Sequence, residues 1–246
     1  MLRIDTNGDI VHLVLDRKET KNALDRAMVV EIHAALARLA ADPPAALIVR
    51  GANDVFASGA DIAELKARTA TDARAQINAR LFTALERFPA PTIAAVNGYA
   101  LGGGCELALA CDLRVAGHSA VFGQPEVALG IIPAAGAAYR LARIVGLGRA
   151  KEMIFTGRRV LAEEALAIGL CNRVVADGDV VAAAEALAAQ IAAHSREAVR
   201  RAKQSIAAAF PPTETLMAVD AVAQAVLFEH PEKHTRMQAF LERKMK

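Results

Sequence analysis

Two stretches of this chain end an apolar run in a glycine-led turn that opens directly into a helix. The first is Phe56-Ala-Ser-Gly-Ala-Asp-Ile62, and the second runs from Ile93-Ala-Ala-Val96 through Asn97-Gly98 and Gly102-Gly-Gly104 to Cys105-Glu106. Apolar runs of strand length that alternate with helical periodicity commit a chain to a layered α/β architecture rather than a bundle. Glycines at a helix start also let backbone N–H groups approach a ligand, because no Cβ intervenes, and helix N-termini favour negative charge. Both devices are therefore candidate oxyanion sites. Glu106, in the first turn of the second helix, is either a carboxylate matched to the helix dipole or a catalytic group.

The rest of the chain repeats the alternation. Leu2–6 and Val11–Leu15 flank the Asn7-Gly8-Asp9 turn and predict a hairpin. A helix is expected from Asp25, as cap, to about Ala40, stopped by Pro43-Pro44, and is followed by a strand over 46–50. One long helix is expected over 71–88 before Pro89 and Pro91. Further strands are expected over 113–116 and 120–122, and a helix over 137–145. From Gly148 the sequence reads as Ala-rich helix with few strands. Its segments lie near 150–155, 162–168, 180–193, 195–209, 213–229 and 231–244, with Ser195 as N-cap and Pro231 in a first turn. This end suits structure or assembly better than chemistry.

Composition narrows the classes. Of 246 residues 54% are hydrophobic but only 4% aromatic, so the core must be built from Ala, Val, Leu and Ile. So many small helical residues predict close packing and apolar faces left over for other subunits. The net charge of +2, with dispersed basic residues, argues against nucleic-acid and membrane-surface partners. Cys105, Cys111 and Cys171 form no Cys-x-x-Cys pair, so neither a disulfide framework nor a zinc site is expected. No metal ligand set is called, and a reduced, cytoplasmic setting follows. No signal-peptide pattern opens the chain, and charge interrupts every apolar stretch before about 18 residues. A Gly-x-Ser-x-Gly elbow, a Walker loop and a His-Glu-x-x-His helix are all missing. What remains is two glycine-led helix starts with Glu106 and Glu126. That set fits a carbonyl oxygen held by N–H groups while carboxylates move protons.

On these residues the chain resembles the enoyl-CoA hydratase/isomerase, or crotonase, superfamily. The segments that carry the resemblance are Lys21-Asn-Ala-Leu24, Phe56–Ile62, Asn97-Gly-Tyr-Ala-Leu-Gly-Gly-Gly-Cys-Glu106 and Phe122-Gly-Gln-Pro-Glu126, in the family's order and spacing. The resemblance spans essentially the whole chain. It implies a crotonase-like spiral of ββα repeats over 1–194, and a helical trimerisation region over 195–246 that forms trimers or hexamers. It implies an enoyl-CoA hydratase in which the N–H groups of Ala60 and Gly103 hold the thioester carbonyl. Glu106 would then help deprotonate a water for attack at C3, and Glu126 would exchange the proton at C2. Substrate and CoA contacts are implied at Lys21, Ala23, Ser58, Ala60, Asp61, Ile62, Leu101, Gly103, Ala134, Phe240 and Lys244. No cofactor is implied beyond the coenzyme A of the substrate. The alternatives are enoyl-CoA isomerisation, acyl-CoA hydrolysis, or a non-catalytic acyl-CoA- or RNA-binding member.

One segment departs from the family. Hydratases usually carry Gly-Ala-Gly-Gly-Thr-Gln after the proline, where this chain has Pro133-Ala-Ala-Gly-Ala-Ala-Tyr-Arg140. Ala134 is expected to be strained if its position needs φ > 0, and Tyr139 is expected to alter the acyl pocket.

Overall fold

The computed structural model describes residues 2–52, 54–210 and 213–244. In chain order its strands are β1 (Leu2–Asn7), β2 (Ile10–Leu15), β3 (Ala46–Gly51), β4 (Thr92–Val96), β5 (Tyr99–Leu101), β6 (Leu113–Gly117), β7 (Val121–Gly123), β8 (Arg159–Leu161) and β9 (Arg173–Val175). The hairpin forms as expected, with β1 antiparallel to β2 from Leu2↔Leu15 to Asn7↔Ile10. From β2 onward the main sheet is parallel, in the order β1-β2-β3-β4-β6-β9.

Parallel strands are covered on both faces, and β3 and β4 show why their sequences are almost wholly apolar. Alternate side chains go to opposite layers. Leu47, Val49, Ala94 and Val96 join one core with residues of the helices Arg26–Ala41, Ile77–Glu86 and Gly103–Ala110. Ala46, Ile48, Ile93 and Ala95 meet Val180, Ala184 and Ala188 of the helix Val180–Ala192 on the other face. With so few aromatics, Phe56, Phe82, Phe88 and Phe122 are the largest wholly buried apolar side chains.

A small second sheet, β5-β7-β8, positions the site. β5 runs parallel to β7, and at their ends the Gly102 N–H donates to the Gly123 carbonyl at 2.9 Å. This bond brings the three-glycine turn beside the segment that leads to Glu126. Three-residue strands such as β5, β8 and β9 are too short to show a periodicity. Two of them lie where the sequence reads as helical and strand-poor.

Three further expectations change. Phe56–58 is no strand: Ala57 makes a single bridge to Ala100, its N–H donating to the Tyr99 carbonyl at 2.9 Å. The helix expected over 71–88 is two helices, Ala70–Ala75 and Ile77–Glu86. Gln76 breaks it at φ 54, and its side-chain amide donates to the Met217 carbonyl at 2.9 Å. Finally, the C-terminal helices Thr213–Glu229 and Pro231–Lys244 fold back on the core. Ala225, Phe228 and Met237 pack with Leu65, Ala73 and Ile131. Ser195 caps Arg196–Ala207 and Asp25 caps Arg26–Ala41, as read from the sequence. Val219, Val222 and Val226 project from Thr213–Glu229 into solvent. Among the described residues no helix is long and apolar enough to cross a membrane.

Candidate active site

The two glycine-led turns meet. On the first, the Gly59 carbonyl accepts from the Leu24 N–H at 2.8 Å and the Ser58 N–H donates to the Lys21 carbonyl at 3.0 Å. The first bond holds the peptide that carries the Ala60 N–H, through its own carbonyl, and the second holds the chain just before it. On the second, the Gly102 carbonyl accepts from the Glu106 N–H at 2.9 Å, which starts the helix Gly103–Ala110. A β-carbon built on Gly103 would lie 3.6 Å from the Ala60 nitrogen, so the two N–H groups are neighbours. Among the described residues neither has a protein acceptor. Two adjacent, unused donors, one of them at a helix N-terminus, are chemically suited to a negatively charged oxygen.

Glu106 and Glu126 open on the same cleft as Ala60 and Gly103. Both are buried, Glu106 to 4% exposure and Glu126 to 8%. Burial pushes Glu106 up to about 7. The N–H groups of Ala135 and Ala137 pull in the opposite direction, donating to its Oε1 at 2.8 and 3.0 Å, and Arg140 adds a favourable positive field. Glu126 is pushed well above the usual carboxylate range, first by burial and then by the charge of Glu106. Its neighbour is Gln124, itself wholly buried; with the amide turned so that its nitrogen faces the carboxylate, that nitrogen donates to the two oxygens at 3.2 and 3.1 Å. The pair is thereby split. Glu106 has the donors and the cation that favour its charged form, while Glu126 keeps its proton more readily. Cys105 lies beside them, but burial raises its thiol to about 12, so no thiolate forms there at neutral pH.

The family profile described as enoyl-CoA hydratase/isomerase matches residues 5–246. The chain belongs to that family. Among curated relatives, the short-chain-enoyl-CoA hydratase of Clostridium acetobutylicum is 37% identical over 246 residues, covering 98% of this chain and 94% of its own. The crotonyl-CoA hydratase of Syntrophomonas wolfei is 39% identical over 240 residues, covering 94% of this chain and 91% of its own. The crystal structure of an enoyl-CoA hydratase from Bacillus anthracis superposes with a TM-score of 0.82 at 35% identity, over 98% of this chain and 96% of that one. The fold is thus the α/β crotonase fold with its C-terminal helical region.

Within this member of the enoyl-CoA hydratase/isomerase family, the residues named from sequence fall into three groups. Ala60, Gly103, Glu106, Glu126 and Ala134 line one cleft. Lys21, Ala23, Ser58, Asp61, Ile62 and Leu101 do not line it and sit in the segments next to Leu24, Ala60 and Gly103. The Ser58 hydroxyl donates to the Thr20 carbonyl at 3.1 Å, Lys21 sits 5.6 Å over the Tyr99 ring, and the Asp61 carboxylate caps Ile62–Ala67 by accepting from the Ala63 and Glu64 N–H groups. Phe240 is 44% exposed and does not line the cleft of its own chain, and the Lys244 side chain lies outside the described residues.

The departures after Pro133 resolve without strain. Ala134 has no positive φ; Gly136 carries it, at φ 115. Tyr139 is buried 5.0 Å beneath the Arg140 guanidinium and does not line the cleft. Sequence reasoning missed Gln124, although it lies within a quoted motif, and also Arg140. It missed Gln224 and Phe228, which the C-terminal helices bring to the cleft wall. A polar residue two positions before a candidate carboxylate, inside the quoted motif, was the available signal for Gln124.

Proposed function

We propose that this protein adds water across the 2,3 double bond of a 2-enoyl-CoA thioester, giving a 3-hydroxyacyl-CoA. The observation that carries the reading is one cleft with two unused N–H donors and two buried carboxylates, both with raised proton affinity and Glu126 the more strongly raised. The thioester oxygen sits on the Ala60 and Gly103 N–H groups, which stabilise the negative charge it gains as C3 is attacked. Ionised Glu106 takes a proton from a water held between the carboxylates while that water's oxygen bonds to C3. Protonated Glu126 gives its proton to C2 as the enolate collapses. The proton gained by Glu106 returns to Glu126 through the next water, which restores the pair. Coenzyme A belongs to the substrate, and the reaction as written uses no other cofactor.

The names of the relatives from C. acetobutylicum and S. wolfei support short enoyl chains as first substrates. The segment after Pro133 is where the sequence departs from the hydratases, and its unstrained Ala134 and recessed Tyr139 give isomerisation or hydrolysis no support there. The exposed valines of Thr213–Glu229 support a homotrimer or a hexamer of paired trimers, with 195–246 as the assembling region. A cytoplasmic location is proposed with it.

The test is loss of the conjugated thioester absorbance of crotonyl-CoA, with product masses measured. Hydration adds one water and keeps CoA attached. Substrate returned at unchanged mass, or free CoA, would overturn the reading.

A further inference from the structure

Next to the turn that holds Glu106, and outside the cleft lining, lies a buried cation that the reaction as written does not use. Arg140 is 3% exposed, and its guanidinium spans two elements. Nη1 donates to the Ala135 carbonyl at 2.9 Å, and Nη2 donates to Glu86 Oε2 at 2.8 Å at the end of Ile77–Glu86. Ala135 is the residue whose N–H holds Glu106 Oε1, so one short segment is gripped at its carbonyl by Arg140 and at its N–H by the carboxylate. Gly136 shows how tight the arrangement is. Its φ is 115, and a β-carbon there would run into Arg140 Nη1. The turn and the guanidinium fit only because that residue is glycine.

We propose that Arg140 is a positioning residue: anchored on Glu86, its guanidinium holds the Ala135–Ala137 turn so that two N–H groups converge on Oε1 of Glu106. The inference rests on Glu106 being the base of the hydratase reading. The charged and titratable groups around Arg140 are Glu106 through the turn, Glu86, Arg143, Tyr139 and Asp220 of Thr213–Glu229. Asp220 is itself pushed by burial to about 6, with Arg140 opposing the shift. Arginine suits this place because one planar fork serves a carbonyl and a carboxylate at once, which an ammonium does not.

The experiment compares wild type, Arg140→Gln and Arg140→Lys by two readouts. One is the pH profile of kcat/KM with crotonyl-CoA. The other is the carboxyl carbon-13 titration of Glu106, identified by the signal lost in Glu106→Gln. Removing the cation and the turn's anchor disfavours the Glu106 carboxylate. Arg140→Gln should therefore move the acid limb and the Glu106 titration to higher pH together, and lower kcat by about 10²-fold with KM little changed. Arg140→Lys, which keeps charge but not the fork, should restore the titration and only part of kcat. A Glu106 titration in folded Arg140→Gln that superimposes on wild type overturns the proposal. If Arg140→Gln does not fold, full kcat in Arg140→Lys overturns it instead. A wild type that hydrates no enoyl-CoA sinks the hydratase reading, while the carbon titration still decides whether Arg140 controls Glu106.

Discussion

The backbone of Gly102 lies so close to Glu126 that a β-carbon there would sit 2.9 Å from Oε1. The same residue has φ 51 and ψ −125, a conformation that side chains rarely adopt. One glycine thus turns the chain into the helix that carries Gly103 and Glu106, and leaves room for the second carboxylate. Gly102→Ala is expected to lose about 1–3 kcal/mol of stability from backbone strain. It is also expected to lower kcat by about 10²-fold, because the contact displaces Glu126. Urea melts and crotonyl-CoA kinetics check the two effects separately. A variant with wild-type kcat would show that Glu126 tolerates displacement.

Glu126→Gln separates catalysis from stability. Turnover should fall by about 10²–10⁴-fold, the usual loss when a general acid or base is removed. Stability should move the other way above neutrality. The folded protein holds the Glu126 proton more tightly than the unfolded chain, so that group's contribution is fully present below the ordinary carboxylate value of 4.5 and is lost as pH rises toward its elevated folded value. The glutamine variant carries no such loss. Its melting temperature should exceed that of wild type at pH 8 by roughly 2–4 °C, the shift that about 1 kcal/mol gives in a chain this long. The gap should close near pH 5, and an equal gap at both pH values would contradict the elevated Glu126 proton affinity.

How much of this was legible in the sequence depends on what each feature answers to. The two glycine-led helix starts could be read from their residues, but Glu106 and Glu126 could not: each alone fits a helix first turn or a surface turn, and only the family's spacing singled them out with Ala60 and Gly103. The α/β layering was legible because apolar runs of strand length alternate with helical periodicity. The break at Gln76 was not, because its cause is a hydrogen bond to Met217, far away in the sequence. Gln224 and Phe228 were hidden for the same reason: only the return of Thr213–Glu229 over the core brings them to the cleft. The condition on which Ala134 would be strained is not met, since the fold puts the positive φ two residues on, at Gly136.

The pH dependence follows from the split pair. The rate needs Glu106 ionised and Glu126 protonated, so kcat/KM should rise through an acid limb near 7 and fall at higher pH as Glu126 loses its proton. Both limbs belong to the coupled pair rather than to either residue alone. Gln124→Leu removes the amide that donates to the Glu126 carboxylate. Its carboxylate is then less favoured, and the basic limb should move to higher pH while the acid limb stays nearly in place. Rate profiles from pH 5 to 10 measure this, and a basic limb unmoved in the variant would remove Gln124 from the control of Glu126.

The Ala134 methyl lines the cleft on a backbone of ordinary φ, so it constrains the acyl group without straining the chain. Ala134→Gly should not relieve anything. It should cost roughly 0.4–1 kcal/mol, because glycine adds freedom to the unfolded chain. In the cleft, the missing methyl should leave crotonyl-CoA turnover within a few-fold and raise kcat/KM for branched or longer enoyl chains relative to crotonyl-CoA. One methylene in an apolar pocket is worth about 10-fold or more in such discrimination. Thermal melts and a chain-length series decide both points. A gain in stability would mean that the turn is strained at Ala134 after all, and an unchanged chain-length profile would place the acyl group elsewhere in the cleft.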